Sequence, residues 1–260
     1  MDWLDSYFAR IDYHGTPTVS LETLSEIHHA HVFHIPFENL DIHNGRGIRI
    51  DPDSIKEKLI AQRRGGYCYE TNGLLALALE AIGFKLDRLL GRILYNTTAL
   101  RPRTHQCMRV YLGDRSYLCD VGYGARQLLS PLLLEDGCME AQFTDCFRLL
   151  RQESGEYHLQ GELSDGWHSF YAFTLEPFLP IDYTLANYWN STFPGSNFVQ
   201  HRMCILPTPT GRYVMNNRVL KITERGTLTE IQAVDHAHYL NLLHQYFGIA
   251  LSPLEISFPA

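Results

Sequence analysis

The chain has 260 residues, a formal net charge of −7, and 45% hydrophobic against 20% charged residues. That is an ordinary globular balance, with length for one large core or two to three smaller ones. The negative charge argues against a nucleic-acid binder, which needs a basic face, and no apolar run approaches the ~20 residues of a membrane span.

The opening segment MDWLDSYFARIDYHG is acidic and amphipathic. It resembles neither a secretory signal nor a transit peptide, so a cytoplasmic protein is expected. Trp3, Leu4, Tyr7, Phe8 and Ile11 recur at helical spacing. Ser20 caps a second predicted helix carrying Leu21, Leu24 and Ile27, which Pro36 must end. A third helix follows DPDSIKEKLIAQRR, started by Asp51 or Asp53 and closed before Gly65-Gly66. A fourth begins near Cys68, buries Leu74, Leu75, Ala78, Leu79 and Ile82, and stops at Gly83.

From about residue 86 the pattern changes to short strands with turn signals: LLGRILY, HQCMRVYL, SYLCDVGY, FRLLRQ, YHLQGEL and WHSFYAFTL. Their spacing predicts an antiparallel sheet or barrel. ANYWNSTFPGSNF reads as an aromatic, turn-rich connection, RYVMNNRVLKITE as a hairpin around Asn216-Asn217, and DHAHYLNLLHQYFG as a helix from Asp235 to Gly248. The class is α+β, divided as a helical segment over 1–85, a β segment over 86–185 and a mixed segment over 186–260.

None of the six cysteines forms a Cys-x-x-Cys pair, so free thiols in a reducing compartment are expected. Cys68 stands apart, because a helix amino terminus stabilises a thiolate through its dipole and free N–H groups. Gly65 and Gly66 let another backbone, or a substrate, come close to it. The segment alone leaves a reactive thiol and an inert buried one both open.

A nucleophile needs a base, and the base an orienter. THQCMRVYLGDRSYLCDVGYG carries His105 and Asp120 on one predicted hairpin. If Gly113-Asp114 is a two-residue turn, Leu112 faces Arg115 and Asp120 is a diagonal neighbour of His105 on the same face. A turn one residue longer or shorter puts them on opposite faces.

His28, His31 and His34 sit at helical spacing, but Pro36 follows and no carboxylate or cysteine pair has matching metal spacing, so partly exposed histidines and no metal are expected. Asp145, like Glu135, Asp136 and Glu140, reads as a solvated charge in loop-like sequence. No G-x-S-x-G is present.

Taken together, HIPFENLDI (34–42), RRGGYCYETNG (63–73), THQCMRV (104–110) and CDVGYGA (119–125) resemble the arylamine N-acetyltransferase family. The resemblance implies a helical bundle, an antiparallel β-barrel and a small α/β lid, with a core related to cysteine proteases and transglutaminases. It implies a triad of Cys68, His105 and Asp120, acetyl-CoA as co-substrate, and a ping-pong reaction through acetyl-Cys68. The acceptor is then an arylamine, arylhydrazine or N-hydroxyarylamine, flanked by Phe37 and by Tyr123, where the family commonly has phenylalanine. Coenzyme A is expected near Arg103, Thr104, Gly122 and Gly124, with Arg101 and Arg126 as further counter-charges. Two other readings stay open: a transglutaminase-like enzyme using the same three residues on an amide, and a binding module with an inert Cys68. The physiological acceptor and the oligomeric state are not legible in the chain.

Overall fold

Helical periodicity and capping set the first third of the computed structural model, which describes residues 2–97, 99–124 and 126–259. Helix α1 spans Trp3–Ile11 and α2 spans Leu21–His34, where the Ser20 side chain accepts the Thr23 N–H and the chain turns extended at Ile35, before Pro36. A two-residue strand β1 (Phe37–Glu38) and a single turn α3 (Leu40–His43) follow. Asp51 caps α4 (Pro52–Lys56), which runs into one π-helical turn over Glu57–Ala61. Helix α5 spans Cys68–Ile82 and ends at Gly83, whose φ of 109° is open to glycine.

Eight antiparallel strands come next: β2 (Lys85–Ile93), β3 (His105–Leu112), β4 (Arg115–Cys119), β5 (Leu132–Leu133), β6 (Met139–Gln142), β7 (Asp145–Arg151), β8 (Tyr157–Leu163) and β9 (Gly166–Phe173). They are ordered β5-β4-β3-β2-β9-β8-β7-β6 and curl into a nearly closed barrel. Instead of a ladder between the edge strands, the Gln142 side chain spans the seam. It accepts the N–H groups of Leu129 and Ser130 at 2.9 and 3.0 Å and donates to the Ser130 carbonyl at 3.1 Å.

Strands β3 and β4 are buried on both faces. Cys107 and Leu118 pack inside the barrel with Phe147, Leu159 and Tyr171, whereas Met108, Val110, Tyr117 and Cys119 pack outward on the helices with Ile27, Leu75 and Leu79. This alternation follows from the two-residue period of a strand.

The segment 182–200 departs from its sequence expectation. It forms α6 (Asp182–Thr192) and a turn α7 (Asn197–Gln200) rather than an irregular connection. Asn187 and Asn190 are buried and hydrogen-bonded across the molecule, and these tertiary bonds override weak helix propensity. The last third adds β10 (Met203–Thr208), β11 (Gly211–Asn216), β12 (Val219–Glu224), β13 (Thr227–Gln232) and α8 (His236–Phe247). The hairpin pairs Asn216 with Val219, so its turn is Asn217-Arg218, one residue later than expected. β1 completes this five-stranded sheet, pairing Phe37 with Ile205 and Glu38 with Cys204. Among the described residues no helix is long and apolar enough to cross a membrane.

Candidate active site

Cys68 is the first residue of α5, and the two glycines before it are explained by what lies against them. β1 runs alongside: Glu38 N–H donates to Gly66 O at 3.0 Å, and Gly66 N–H donates to Pro36 O at 3.2 Å. A Cβ on Gly65 would lie 2.0 Å from the Pro36 carbonyl oxygen, and one on Gly66 would lie 2.6–2.9 Å from the Glu70 side chain. Of the two visitors the sequence allows, the one the structure brings is another backbone. Glu70 folds back under Gly66, and its Oε2 accepts the Tyr67 N–H at 3.1 Å. The N–H groups of Glu70 and Thr71 bond to the Tyr67 carbonyl. Those of Cys68 and Tyr69 have no partner among the described residues, as the first turn of a helix leaves them.

The β3–β4 turn has two residues, Leu112 pairs with Arg115, and Gly113 takes φ +58°. The ladder ends at Met108–Cys119, and just beyond it His105 Nε2 meets Asp120 Oδ2 at 2.6 Å. The Cys68 sulfur is the other side chain that bears on the imidazole, and with Nε2 given to Asp120 the remaining ring nitrogen is Nδ1. Burial alone lowers the basicity of His105, but the Asp120 carboxylate and the Cys68 sulfur outweigh it and raise the imidazole from 6.5 to about 10. Burial raises the Asp120 carboxyl, and His105, Asn72 and the Gly122 N–H together pull it below its ordinary value. An ionised carboxylate only accepts, so Nε2–H is the donor.

The aromatic neighbours close the site. Tyr171 packs tilted on the His105 ring at 4.6 Å, and Tyr123 meets it edge-on at 5.6 Å. Tyr123 stacks on Phe170 and its hydroxyl donates to the Phe170 carbonyl at 3.4 Å. Phe37 packs on Phe198, as does Tyr67, whose hydroxyl also bonds to Asn187. Thr104, immediately before His105, is buried and turns its carbonyl to Tyr69, Asn190 and Cys68.

The chain is matched by the N-acetyltransferase family model over residues 20–256. The arylamine N-acetyltransferase of Escherichia coli is 35% identical over 258 residues, covering 98% of this chain and 92% of that one. The chain belongs to the arylamine N-acetyltransferase family. The solved arylamine N-acetyltransferase from Salmonella typhimurium superimposes with a TM-score of 0.93 at 32% identity, covering 98% of this chain and 96% of that one. The Mycobacterium marinum arylamine N-acetyltransferase solved in complex with CoA superimposes with a TM-score of 0.88 at 31% identity, covering 95% and 92%.

In this acetyltransferase the glycines of GYG are already committed. Gly122 N–H donates to Asp120 Oδ1 at 2.9 Å and Gly124 N–H to Gln127 Oε1 at 3.3 Å. Their lack of a side chain serves packing. A Cβ on Gly122 would lie 2.7 Å from the Cys68 Cα, and Gly124 has φ +91° with the Phe37 ring 3.2 Å from a would-be Cβ. Ala125, the last residue of that motif, lies outside the described residues. Arg103 is engaged by Glu156 at 2.9 Å and Thr174 at 3.2 Å. Arg126 pairs with Asp145 at 2.7 Å, and Arg212 of β11 reaches the same carboxylate at 2.6 Å. Asp145 is therefore a buried tie between barrel and small sheet rather than a solvated charge.

Two groups around Asp120 escaped the sequence reading. Asn72 donates to Asp120 Oδ1 at 2.9 Å and to Gln106 O at 2.7 Å, and accepts the Val121 N–H at 2.9 Å. Its signal was its place four residues after Cys68, on the same helix face. His28 Nε2 accepts the Asp120 N–H at 3.3 Å. Burial lowers His28 to about 3, so it is a neutral acceptor. His28 and His31 are fully buried, against the expectation of partial exposure, and only His34 faces solvent. Among the described residues no group of three His, Cys, Asp or Glu side chains is arranged to hold a metal.

Behind the start of α5 lies a buried ion cluster. Arg64 meets Glu38 at 2.7 Å and Asp41 at 3.2 Å. Lys58 meets Glu70 at 2.7 Å and Asp41 at 2.8 Å.

Proposed function

We propose that the protein moves the acetyl group of acetyl-CoA to an arylamine, arylhydrazine or N-hydroxyarylamine by a ping-pong reaction through acetyl-Cys68. The observation that carries this reading is His105, held by Asp120 through Nε2, with the Cys68 sulfur bearing on the same imidazole from a helix start with open N–H groups.

In the first half-reaction His105 Nδ1 takes the Cys68 proton. Asp120 fixes the tautomer and balances the imidazolium. The thiolate attacks the thioester carbonyl, and the Cys68 and Tyr69 N–H groups are the donors nearest to hand for the oxyanion, each worth roughly 2.7–4 kcal/mol in acyl-transfer enzymes. The carbon–sulfur bond to coenzyme A breaks, and His105 returns the proton to the leaving thiolate. In the second half-reaction His105 deprotonates the acceptor as it attacks acetyl-Cys68, and the thiol is restored.

Binding of CoA by the M. marinum relative supports the donor assignment. In this reading Arg103, Thr104 and the 122–124 segment face coenzyme A, and Phe37 and Tyr123 the acceptor. Because Arg103 shares its charge with Glu156, Glu156→Gln is expected to lower the KM for acetyl-CoA modestly, most visibly at low salt.

Mass spectrometry of the protein mixed with acetyl-CoA alone tests the central step. One added acetyl group on Cys68, absent in Cys68→Ala and discharged by an arylamine, is expected. A Cys68→Ala variant that still transfers acetyl sinks the reading.

A further inference from the structure

Beside the thiol, one main-chain oxygen collects donors from two other elements. The Thr104 carbonyl accepts the Tyr69 hydroxyl at 2.7 Å and the Asn190 side-chain amide at 2.9 Å, and the Cys68 S–H donates to it more weakly at 3.9 Å. Tyr69 comes from the start of α5, Thr104 from the residue before β3, and Asn190 from α6. All are buried. A carbonyl oxygen carries two lone pairs, so the two short bonds leave the Cys68 S–H only a long third contact.

Stripped of both donors, that oxygen would be a vacant acceptor within reach of the thiol proton, competing with His105. Its partial negative charge would also oppose a thiolate, and it would do so in a poorly solvated space where such effects are strong. We propose that Tyr69 and Asn190 are positioning residues that crowd the Thr104 carbonyl, keep its bond to the Cys68 proton long and weak, and draw its charge away from the thiolate. The proton then leaves this long contact readily: the S–H bond breaks as Nδ1–H forms on His105, and both clamping donors keep their own protons. Tyr69 is suited to this, because burial and the Cys68 sulfur beside it hold its hydroxyl well above the ordinary phenol value. The proposal rests on the reading of Cys68 as nucleophile, and it gives α6 a place in the chemistry that its sequence did not suggest.

The titratable groups that bear on Cys68 are His105 and Cys107 from β3, Tyr67 and Tyr69 from the start of its own helix, and Tyr183 from α6. The Asp120 carboxylate stands behind His105, and Glu70 caps the Tyr67 N–H. Of these groups only Tyr69 touches the Thr104 carbonyl, and Asn190 does not titrate, so variants at these two positions isolate the clamp.

The experiment is the rate of iodoacetamide alkylation of Cys68 from pH 5 to 10, read by intact mass, for the wild type, Tyr69→Phe, Asn190→Leu and the double variant, each checked by thermal melting. Each lost donor is expected to slow alkylation at pH 6 about fivefold, as one hydrogen bond of ordinary strength gives. The profile should shift to higher pH and rejoin the wild type near pH 10, with a matching shift in kcat/KM. Profiles that overlay the wild type in both single variants overturn the clamp, as does a loss of equal factor at every pH, which is the mark of a merely structural role. The wild-type curve separates the two levels of argument: if Cys68 reacts at pH 6 no faster than a free thiol, the nucleophile reading itself fails.

Discussion

Two buried charge arrays meet the first turn of α5 from different directions, and they differ in which cation they hold. The array at Cys68 sets Asp120 against an imidazole. The array beneath it sets Glu38, Asp41 and Glu70 against Lys58 and Arg64. Burial lowers the basicity of Lys58 and Arg64, but their carboxylate partners outweigh it and raise both above their ordinary values, so neither releases a proton. His105, by contrast, sits between two protonation states that both occur in the proposed reaction. In the proposed reaction the same ingredients thus give a proton path on one side and a fixed anchor on the other. The anchor ties β1, the π-helical turn and the cap of α5 together through two cations that keep their protons.

The contrast breaks first at Asp120. Asp120→Asn keeps the shape but removes the charge and the tautomer control, and kcat is expected to fall on the order of 10⁴-fold, as in other triads. The pH dependence of stability is a second readout. His105 is raised from 6.5 to about 10 by the fold, so its contribution is complete below pH 6.5 and is lost as pH rises toward 10. Chemical denaturation across that window should show falling stability in the wild type and a flatter profile in Asp120→Asn. Equal slopes would mean that the pair carries no such linkage.

The anchor should respond in the opposite sense. Lys58→Met leaves Glu70 and Asp41 without their shared cation, a loss of about 3–5 kcal/mol in comparable buried pairs. The measure is the melting temperature against kcat: a large drop in the first with kcat within a few-fold supports an anchor. A stable protein with kcat down a thousandfold would merge the two arrays into one machine. Glu70 gives a finer test, because burial and Glu38 push its carboxyl from 4.5 to about 7 against the pull of Lys58. A raised acid costs stability as pH climbs, so this contribution is lost between pH 4.5 and 7, on the order of 3 kcal/mol. Glu70→Gln should remove that slope while leaving the alkaline one untouched.

The proton path was more legible in the sequence than the anchor, for physical reasons. A two-residue turn at Gly113-Asp114 fixes the parity of a hairpin, so counting put His105 and Asp120 on one face in one of the registers left open, and that register is the one formed. Caps fixed α2 and α8 because Ser20, Asp235 and Gly248 act within their own turn. The anchor joins residues 38, 41, 58, 64 and 70 through tertiary contacts that no local rule encodes. Helix α6 was hidden by a mixed face: Asn187 and Asn190 are buried beside Tyr183 and Ala186, whereas Leu185 and Tyr188 face solvent. A reading that sends apolar residues inward meets no clean apolar stripe there. Asp145 was misjudged for the same reason, since its partners Arg126 and Arg212 lie 19 and 67 residues away.

Tyr123 marks where the proton path ends and tests the comparison most gently. Its ring lies edge-on to His105, which places it at the site, but its hydroxyl is spent on the Phe170 carbonyl on the barrel side. The added oxygen relative to phenylalanine therefore belongs to packing rather than to acceptor choice. Tyr123→Phe is expected to lower stability by about 0.5–1.5 kcal/mol, the net worth of one hydrogen bond. Relative kcat/KM for polar and apolar anilines should stay within twofold of the wild type. A clear change in that ratio would show the hydroxyl turning toward the acceptor during turnover, and would move Tyr123 from the barrel wall into the chemistry of selection.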